Sequence, residues 1–249
     1  MNTLIGNSKD SIISRLREDI GLMEGYKPPC TSLRHISGLE DIETAFRNNI
    51  FPTGAIHEFI CLKNEHTAAT TGFISGILAV VMQHAGVCLW VSTNRRLFAT
   101  ALSTFNAIPD NIIFILVDRE KEVLWATEEG LKCKGIAAVV AEVKNLTFMQ
   151  SRRLQLAVEV SNATGFIVRS DAAKLSATAC TARWQIIPQP SKTEAGLPGI
   201  GFPRWQVELL KARNGRPGKW IVEWSANSFN IITEQHKHQY TQDDIRKAG

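Results

Sequence analysis

A regular alternation of short apolar segments with longer segments of helical periodicity runs through the middle of the chain, from Ala55 to Arg169. The short segments are mostly apolar on both faces, as parallel strands covered by helices on both sides must be. Right-handed crossovers through the intervening helices join such strands into one open sheet. The alternation therefore predicts a doubly wound α/β domain with helices on both faces of a mostly parallel sheet. The predicted strands are 55–62, 87–92, 112–117, 136–143 and 165–169, and the predicted helices are 67–85, 95–106, 121–134 and 147–162.

The segments on either side of this alternation extend the prediction. Residues 8–23 carry an apolar stripe typical of an amphipathic helix, and Pro28 and Pro29 lie in the linker that follows. Three strand-like runs, 183–187, 205–212 and 219–224, predict antiparallel strands that extend the sheet. We expect an N-terminal helix and linker over 1–34, a core over 35–234 and a polar tail over 235–249. The N-terminal helix could pack on its own domain, or it could be an arm that docks a partner or joins copies into a homo-oligomer.

Composition restricts the class of protein. Of the 249 residues, 44% are apolar and 21% are charged, as in an average globular protein, and the net charge of +4 is compatible with nucleic acid without indicating it. The five isolated cysteines predict reduced thiols rather than disulfides or a zinc site. The chain start lacks a signal-peptide pattern, and no apolar run approaches the ~20 residues of a membrane span, so we expect a cytoplasmic protein.

The first strand-to-helix connection stands where nucleotide-binding α/β domains carry a phosphate loop. In GxxxxGK[ST], glycines let backbone N–H groups face the phosphates, the lysine reaches them, and the hydroxyl binds Mg²⁺. Here residues 61–68 read CLKNEHTA, so both glycines are missing, Thr67 replaces the lysine and Ala68 replaces the hydroxyl. Glu65 adds a negative charge that repels phosphate. The sequence therefore predicts a degenerate nucleotide loop, with Cys61, Lys63, His66, Thr67 and Ala68 at its positions.

A nucleotide-hydrolysing site also needs an acidic residue at the end of the strand that faces the loop, where it holds Mg²⁺. Ala141 stands at that position, and Glu142 follows one residue later. Because one residue along a strand turns the side chain to the opposite face, we predict that Glu142 makes a local hydrogen bond at the sheet end. The alternative is that Glu142 serves as a metal ligand.

Several segments share a pattern with a known family. They are SRRLQLA from Ser151, the RW pairs at Arg183 and Arg204, and PRWQVELLKARNGRPGKW from Pro203, with FPTG, WATEEGLK, AAVVAEV and GFIVR in the same order. Between Gly38 and Trp224 the chain resembles the ImuA family, the RecA-like accessory proteins of bacterial SOS mutagenesis cassettes.

The resemblance implies a RecA-like three-layer core. It places a phosphate loop near residues 61–68, a metal acid near Ala141 and a catalytic glutamate near Asn94. Because the sequence departs from the active pattern at all three, we interpret the chain as a pseudo-ATPase without catalytic residues, cofactor or metal.

The resemblance also implies a function and partners. It implies a scaffold for SOS-induced translesion synthesis that binds an ImuB-like Y-family polymerase homologue, and through it a DnaE-type error-prone polymerase, with RecA as a further partner. The alternatives are an atypical P-loop ATPase of DNA repair and a single-stranded-DNA-binding regulator without a polymerase partner.

Basic and aromatic residues are interleaved in the C-terminal third. Basic groups neutralise phosphates and aromatic faces stack on bases, so this region could bind a single strand. The alternative is that the tryptophans pack in the sheet and the basic residues are solvated. For the pair Arg152 and Arg153, the alternative to an external phosphate is a salt bridge to a carboxylate such as Glu142 or Glu129. The candidate DNA- or partner-binding residues are Arg152, Arg153, Arg169, Lys174, Arg183, Trp184, Arg204, Trp205, Lys211 and Arg213.

Overall fold

Nine strands form one mixed sheet in the computed structural model, which describes residues 35–83, 86–95, 97–170, 176–191 and 201–232. The strands are β1 (Ile56–Ile60), β2 (Val87–Ser92), β3 (Ile112–Leu116), β4 (Ile136–Val143), β5 (Thr164–Arg169), β6 (Ala182–Gln189), β7 (Arg204–Ala212), β8 (Gly218–Ser225) and β9 (Ser228–Ile231). The helices are α1 (Glu40–Glu43), α2 (Asn64–Val81), α3 (Ala99–Leu102), α4 (Glu120–Lys132) and α5 (Phe148–Ser161), with 3-10 turns at Arg47–Asn49, Ser103–Phe105 and Pro109–Asn111. The predicted N-terminal helix, Lys174 and the polar tail lie outside the described residues.

The strand order is β3-β2-β4-β5-β1-β6-β7-β8-β9, which puts β1 at the centre of the sheet. Strands β1 to β5 are parallel, and β6 joins the other side of β1 in the same direction. Strands β7, β8 and β9 then alternate in direction. The predicted α/β class, with antiparallel strands added at the C-terminal end, is confirmed, although the first of those strands runs parallel to β1 and β9 was not predicted.

Helices cover both faces of the sheet because the strand residues alternate between two apolar clusters. On one face, Phe73 and Ile77 of α2 pack with Val140 of β4. On the other face, Leu131 of α4 and Leu154 of α5 pack in a second cluster. The three layers that the resemblance implied are therefore present.

The helix predicted over 95–106 is reduced to the single turn of α3 followed by a 3-10 turn. Asn106 adopts a left-handed conformation (φ 60°), which stops helical propagation, and Pro109 follows three residues later. The apolar residues in this segment had favoured a longer helix. In the structure they instead turn toward the core at Leu102 and toward solvent at Phe98.

Helix α2 is buried along most of its length, and the C-terminal strands pack against it. The ring of Phe73 lies 5.3 Å from that of Phe229 on β9 and 6.2 Å from that of Trp205 on β7. Within the described ranges, no helix combines the length and hydropathy needed to cross a bilayer.

Candidate functional site at the carboxyl edge of the sheet

A cavity of about 550 Å³ opens at the carboxyl edge of the parallel strands, beside the first turns of α2. In doubly wound sheets ligands bind in the crevice outside the carboxyl ends of the strands, so this cavity is where a site is expected. Hydroxyl, amide and carboxylate side chains line it together with apolar groups of the α3 segment. The lining residues that matter here are Thr67, Ala68, Asn94, Asp118, Glu120, Glu142 and Lys144.

The connection between β1 and α2 is three residues long, because β1 ends at Ile60 and α2 begins at Asn64. A phosphate loop needs four residues between its two glycines alone. Here the fourth position of the motif is already helical, so no loop remains to wrap a phosphate. Thr67 and Ala68, which replace the lysine and the metal-binding hydroxyl, line the cavity.

The other positions of the degenerate loop point elsewhere. The Nζ atom of Lys63 lies 3.5 Å from a carboxylate oxygen of Glu65, and both side chains are exposed. Cys61 is buried, and burial raises the pKa of its thiol. His66 is also buried, and burial lowers the pKa of its imidazole. None of these three predicted residues lines the cavity.

Glu142 of β4 faces the cavity, whereas Ala141 does not. The side chain of Ala141 packs in the cluster beneath α4 and α5, on the opposite face of the sheet. Glu142 lines the cavity, and its Oε1 accepts a hydrogen bond of 2.9 Å from Nε1 of Trp90. The assignment of the metal-acid position to Ala141 therefore has to be corrected by one residue, while the local hydrogen bond expected of Glu142 is present.

Asn94 lies in the cavity wall, where the resemblance implies a catalytic glutamate. The hydroxyl of Ser92 donates to the carbonyl oxygen of Asn94 at 2.7 Å and holds the turn after β2. Because an amide side chain does not take up a proton from water at neutral pH, this position offers no general base.

Two acidic residues of the cavity, Asp118 and Glu120, were missed by sequence reasoning. Each follows the apolar run of β3 closely, which is the signal that could have found them. Oε1 of Glu120 accepts from the backbone N–H groups of Lys144 (2.8 Å) and Asn145 (3.0 Å). With Glu142, the lining carries three carboxylates against the ammonium of Lys144. Among the described residues, no three His, Cys, Asp or Glu side chains converge as metal ligands.

A buried ionic cluster lies on β1, next to the carboxyl edge. The carboxylate of Glu58 pairs with Arg169 at 2.6 Å and with Arg183 at 2.8 Å, and the hydroxyl of Thr178 donates to it at 2.8 Å. Solvent reaches neither Glu58 nor Arg169. Asn145 accepts a further hydrogen bond of 2.9 Å from Arg169. Sequence reasoning missed this cluster, although a single carboxylate in the apolar strand IHEFI was its signal.

The predicted basic surface is largely used to hold the segment that precedes β6. Arg183 donates to the carbonyl oxygen of Ser176 (2.6 Å), Lys211 to that of Thr178 (3.2 Å) and Arg213 to that of Ala179 (3.2 Å). On the neighbouring strands, Arg204 pairs with Glu223 at 2.5 Å.

Trp184 and Trp205, the two tryptophans proposed as binding residues, belong to the core. Trp184 is fully buried, with its ring 6.2 Å from Phe59 and its Nε1 donating to Nδ1 of His57 at 3.2 Å. Trp205 is 4% exposed and packs on Phe105. Neither indole face is open to a base, so the structure favours the alternative in which the tryptophans pack within the sheet.

Arg152 and Arg153 lie in the second turn of α5, which begins at Phe148, one residue after the predicted start. Thr147 caps it by accepting from the backbone of Gln150 at 3.3 Å. Arg153 pairs with Glu128 of α4 at 2.6 Å, so the internal salt bridge exists, with a different carboxylate from those expected. Arg152 is exposed.

Comparison with known proteins shows which proteins this chain is similar to in sequence. No family model matches the chain. The chain is similar to Protein ImuA from two strains of Caulobacter vibrioides, NA1000/CB15N and ATCC 19089/CIP 103742/CB 15. Each alignment is 31% identical over 218 residues and covers 81% of this chain and 89% of the relative. At this identity and coverage, the chain belongs to the ImuA family.

Proposed function

We propose that this protein is a non-catalytic, RecA-like accessory scaffold in SOS-induced translesion DNA synthesis. It binds an ImuB-like Y-family polymerase homologue, through which it reaches a DnaE-type error-prone polymerase, and RecA is a further partner. Membership of the ImuA family supports the role in mutagenesis. The observation that best supports a lack of catalysis is the three-residue connection between β1 and α2.

The electrostatics of the cavity support the same proposal. A nucleoside triphosphate brings several negative charges, and a hydrolysing site offsets them with a lysine, a metal ion and inward-facing N–H groups. This cavity presents Asp118, Glu120 and Glu142 against Lys144. The net charge of its lining therefore opposes a triphosphate.

Isothermal titration with ATP and Mg²⁺ tests the absence of catalysis. We expect no binding heat up to about 1 mM ATP, the upper range of ordinary KM values, and phosphate release no faster than in buffer. An atypical ATPase would bind and turn over ATP, and Glu142→Ala would then stop turnover while binding remained. Tight binding of ATP with turnover would rule out the proposal that the protein is a non-catalytic scaffold.

Co-purification of the full chain with an ImuB-like polymerase homologue tests the partner. We expect a complex that survives gel filtration and that forms equally well with and without ATP. If the two proteins elute separately at concentrations well above those in cells, the partner assignment is wrong, whatever the ATP titration shows.

Direct DNA binding through the basic residues of β6 and β7 is not part of this proposal, because these residues already hold internal partners. Fluorescence anisotropy with a single-stranded oligonucleotide across a salt series checks this point. Loss of a phosphate contact lowers the slope of log K against log salt by about 1. We expect Arg204→Ala to leave the slope unchanged, and a drop of that size would restore the DNA-binding alternative.

A further inference from the structure

Helix α5 is apolar on two faces. Leu154, Ala157 and Val158 are buried against the sheet. On the outward face, Met149 is 71% exposed, Leu156 46% and Val160 67%. At about 100° per residue, positions 149, 156 and 160 fall within an arc of roughly 40°, so they form one continuous stripe. A surface helix with its apolar stripe already buried normally presents polar residues outward, so this second stripe needs an explanation.

The apolar surface continues onto α4. The salt bridge between Arg153 and Glu128 holds the two helices side by side. Trp125 lies one turn before Glu128 on α4 and is 66% exposed. An exposed tryptophan beside a stripe of exposed aliphatic side chains marks an interaction surface.

Two charges of opposite sign flank the stripe on the same side. Arg152 and Glu159 are seven residues apart, so they differ by only about 20° around the helix but by about 10 Å along it. That separation is too long for a direct ion pair. Neither residue forms an ion pair with another part of the chain that the structure describes, and Arg152 is exposed while Glu159 is partly exposed.

We propose that the outward stripe of α5 (Met149, Leu156 and Val160, with Trp125 at its rim) is the interface of a two-fold symmetric pair of copies of this chain. The two α5 helices pack antiparallel, with the symmetry axis near Leu156. Each Leu156 then meets the same residue of the second copy, and each Val160 packs between Leu156 and Met149 of the other copy. Each Arg152 lies beside Glu159 of the other copy, and this ion pair forms twice.

A second copy fits this surface better than an unrelated helix because the pattern is complementary to itself. The axis that brings Leu156 onto Leu156 is the same axis that brings Arg152 onto Glu159. Two-fold contacts of this kind use one patch on both subunits. Six side chains make up the patch, against the roughly 20–30 residues a side of a standard interface, so we expect a dissociation constant at the weak, micromolar end of the range. The N-terminal segment, for which the sequence predicted an oligomer contact, is not part of this proposal.

Sedimentation velocity of the full chain over a concentration series at low salt tests the dimer. We expect a reversible dimer that weakens as salt rises. Leu156→Asp places two carboxylates at the axis and should leave a monomer. Ile108→Asp, at an apolar residue that is 57% exposed between α3 and β3, is the matched control and should dimerise as the wild type does. A monomer throughout the series, or a dimer that Leu156→Asp leaves intact, would overturn the proposal.

A charge exchange provides the sharper test, since it does not depend on a loss of folding. Arg152→Glu and Glu159→Arg should each weaken the dimer roughly tenfold or more, because each places like charges opposite one another. Mixed together, the two variants should associate, because one ion pair of the mixed dimer is then native and the other forms with its charges reversed. The double variant should dimerise on its own, because both of its ion pairs form with reversed charges. If the mixture stays monomeric while the wild type dimerises, the α5 surface is not the interface.

Discussion

The carboxylate of Glu58 lies 2.6 Å from Nη1 of Arg169, and solvent reaches neither side chain. Arg183 occupies the other carboxylate oxygen at 2.8 Å. Taking such charges out of water costs several kcal/mol each, which only close pairing and further hydrogen bonds offset. Glu58 on β1 therefore stabilises two guanidinium groups at once, one from each neighbouring strand.

Replacement of Glu58 by Gln should be strongly destabilising, because it leaves the buried guanidinium group of Arg169 and the partly buried one of Arg183 without a counter-charge. We expect the free energy of unfolding to fall by about 3–5 kcal/mol. Urea denaturation measures the change. Glu122→Gln, which breaks the exposed pair with Arg119, is the control and should barely move the midpoint. Equal midpoints for Glu58→Gln and the wild type would contradict this role for the cluster.

The stability should also depend on pH through His57. Its Nε2 lies 2.7 Å from the carbonyl oxygen of Pro52, and its Nδ1 accepts from Trp184. Burial lowers the pKa of His57 from 6.5 to about 4, while the hydrogen bond to Pro52 opposes that shift. Between these two pH values the unfolded chain holds the extra proton, so stability is complete above pH 6.5 and falls as the pH drops toward 4.

The loss from this histidine amounts to at most about 1.4 kcal/mol per pH unit. Urea midpoints of the wild type and of His57→Gln across this pH range separate the contribution of His57 from that of other titrating groups. The variant should be less stable at pH 7 but should lose less stability on acidification. Parallel curves for the two proteins would show that His57 does not contribute.

Gly38 is required where the chain passes β9. Its φ is +83°, and an added Cβ would lie 1.6 Å from the carbonyl oxygen of Phe229. Gly135→Ala is the matched control, because Gly135 also has a positive φ but open space around it, so only the strain of about 1–3 kcal/mol applies. We expect the melting temperature to fall clearly further for Gly38→Ala than for Gly135→Ala. Equal losses would mean that the backbone contact with β9 is readily relieved.

Strand β3 ends the sheet on one side with the sequence IIFIL, in which Ile113 is 51% exposed and Phe114 42% exposed. Exposed apolar edge strands promote association of sheets, and a lysine on the edge suppresses it. Ile113→Lys should therefore reduce turbidity on mild heating. Urea denaturation should show that the free energy of unfolding falls by no more than about 1 kcal/mol. Unchanged turbidity would show that aggregation begins elsewhere.

The parallel part of the sheet could be read from local pattern alone. The bounds of β2 and β4 were predicted to the residue, because a glycine precedes each mostly apolar run and a polar residue follows it. The α3 segment was not predictable, since its apolar residues serve both the core and the cavity mouth. At the candidate site, the sequence alone showed that the residues of a phosphate loop are missing. The partners of Glu58 were not, because they lie 111 and 125 residues away along the chain.

Those long separations have a consequence for synthesis. β1 is the central strand of the finished sheet, yet both strands that flank it are made more than 100 residues later. At 5–20 residues per second, the ribosome needs on the order of ten seconds to supply them. For that time Phe59 and its apolar neighbours, together with the lone charge of Glu58, have no native strand on either side. The last parallel strands to emerge therefore close the sheet around the first, and until then this exposed apolar surface favours aggregation of the nascent chain.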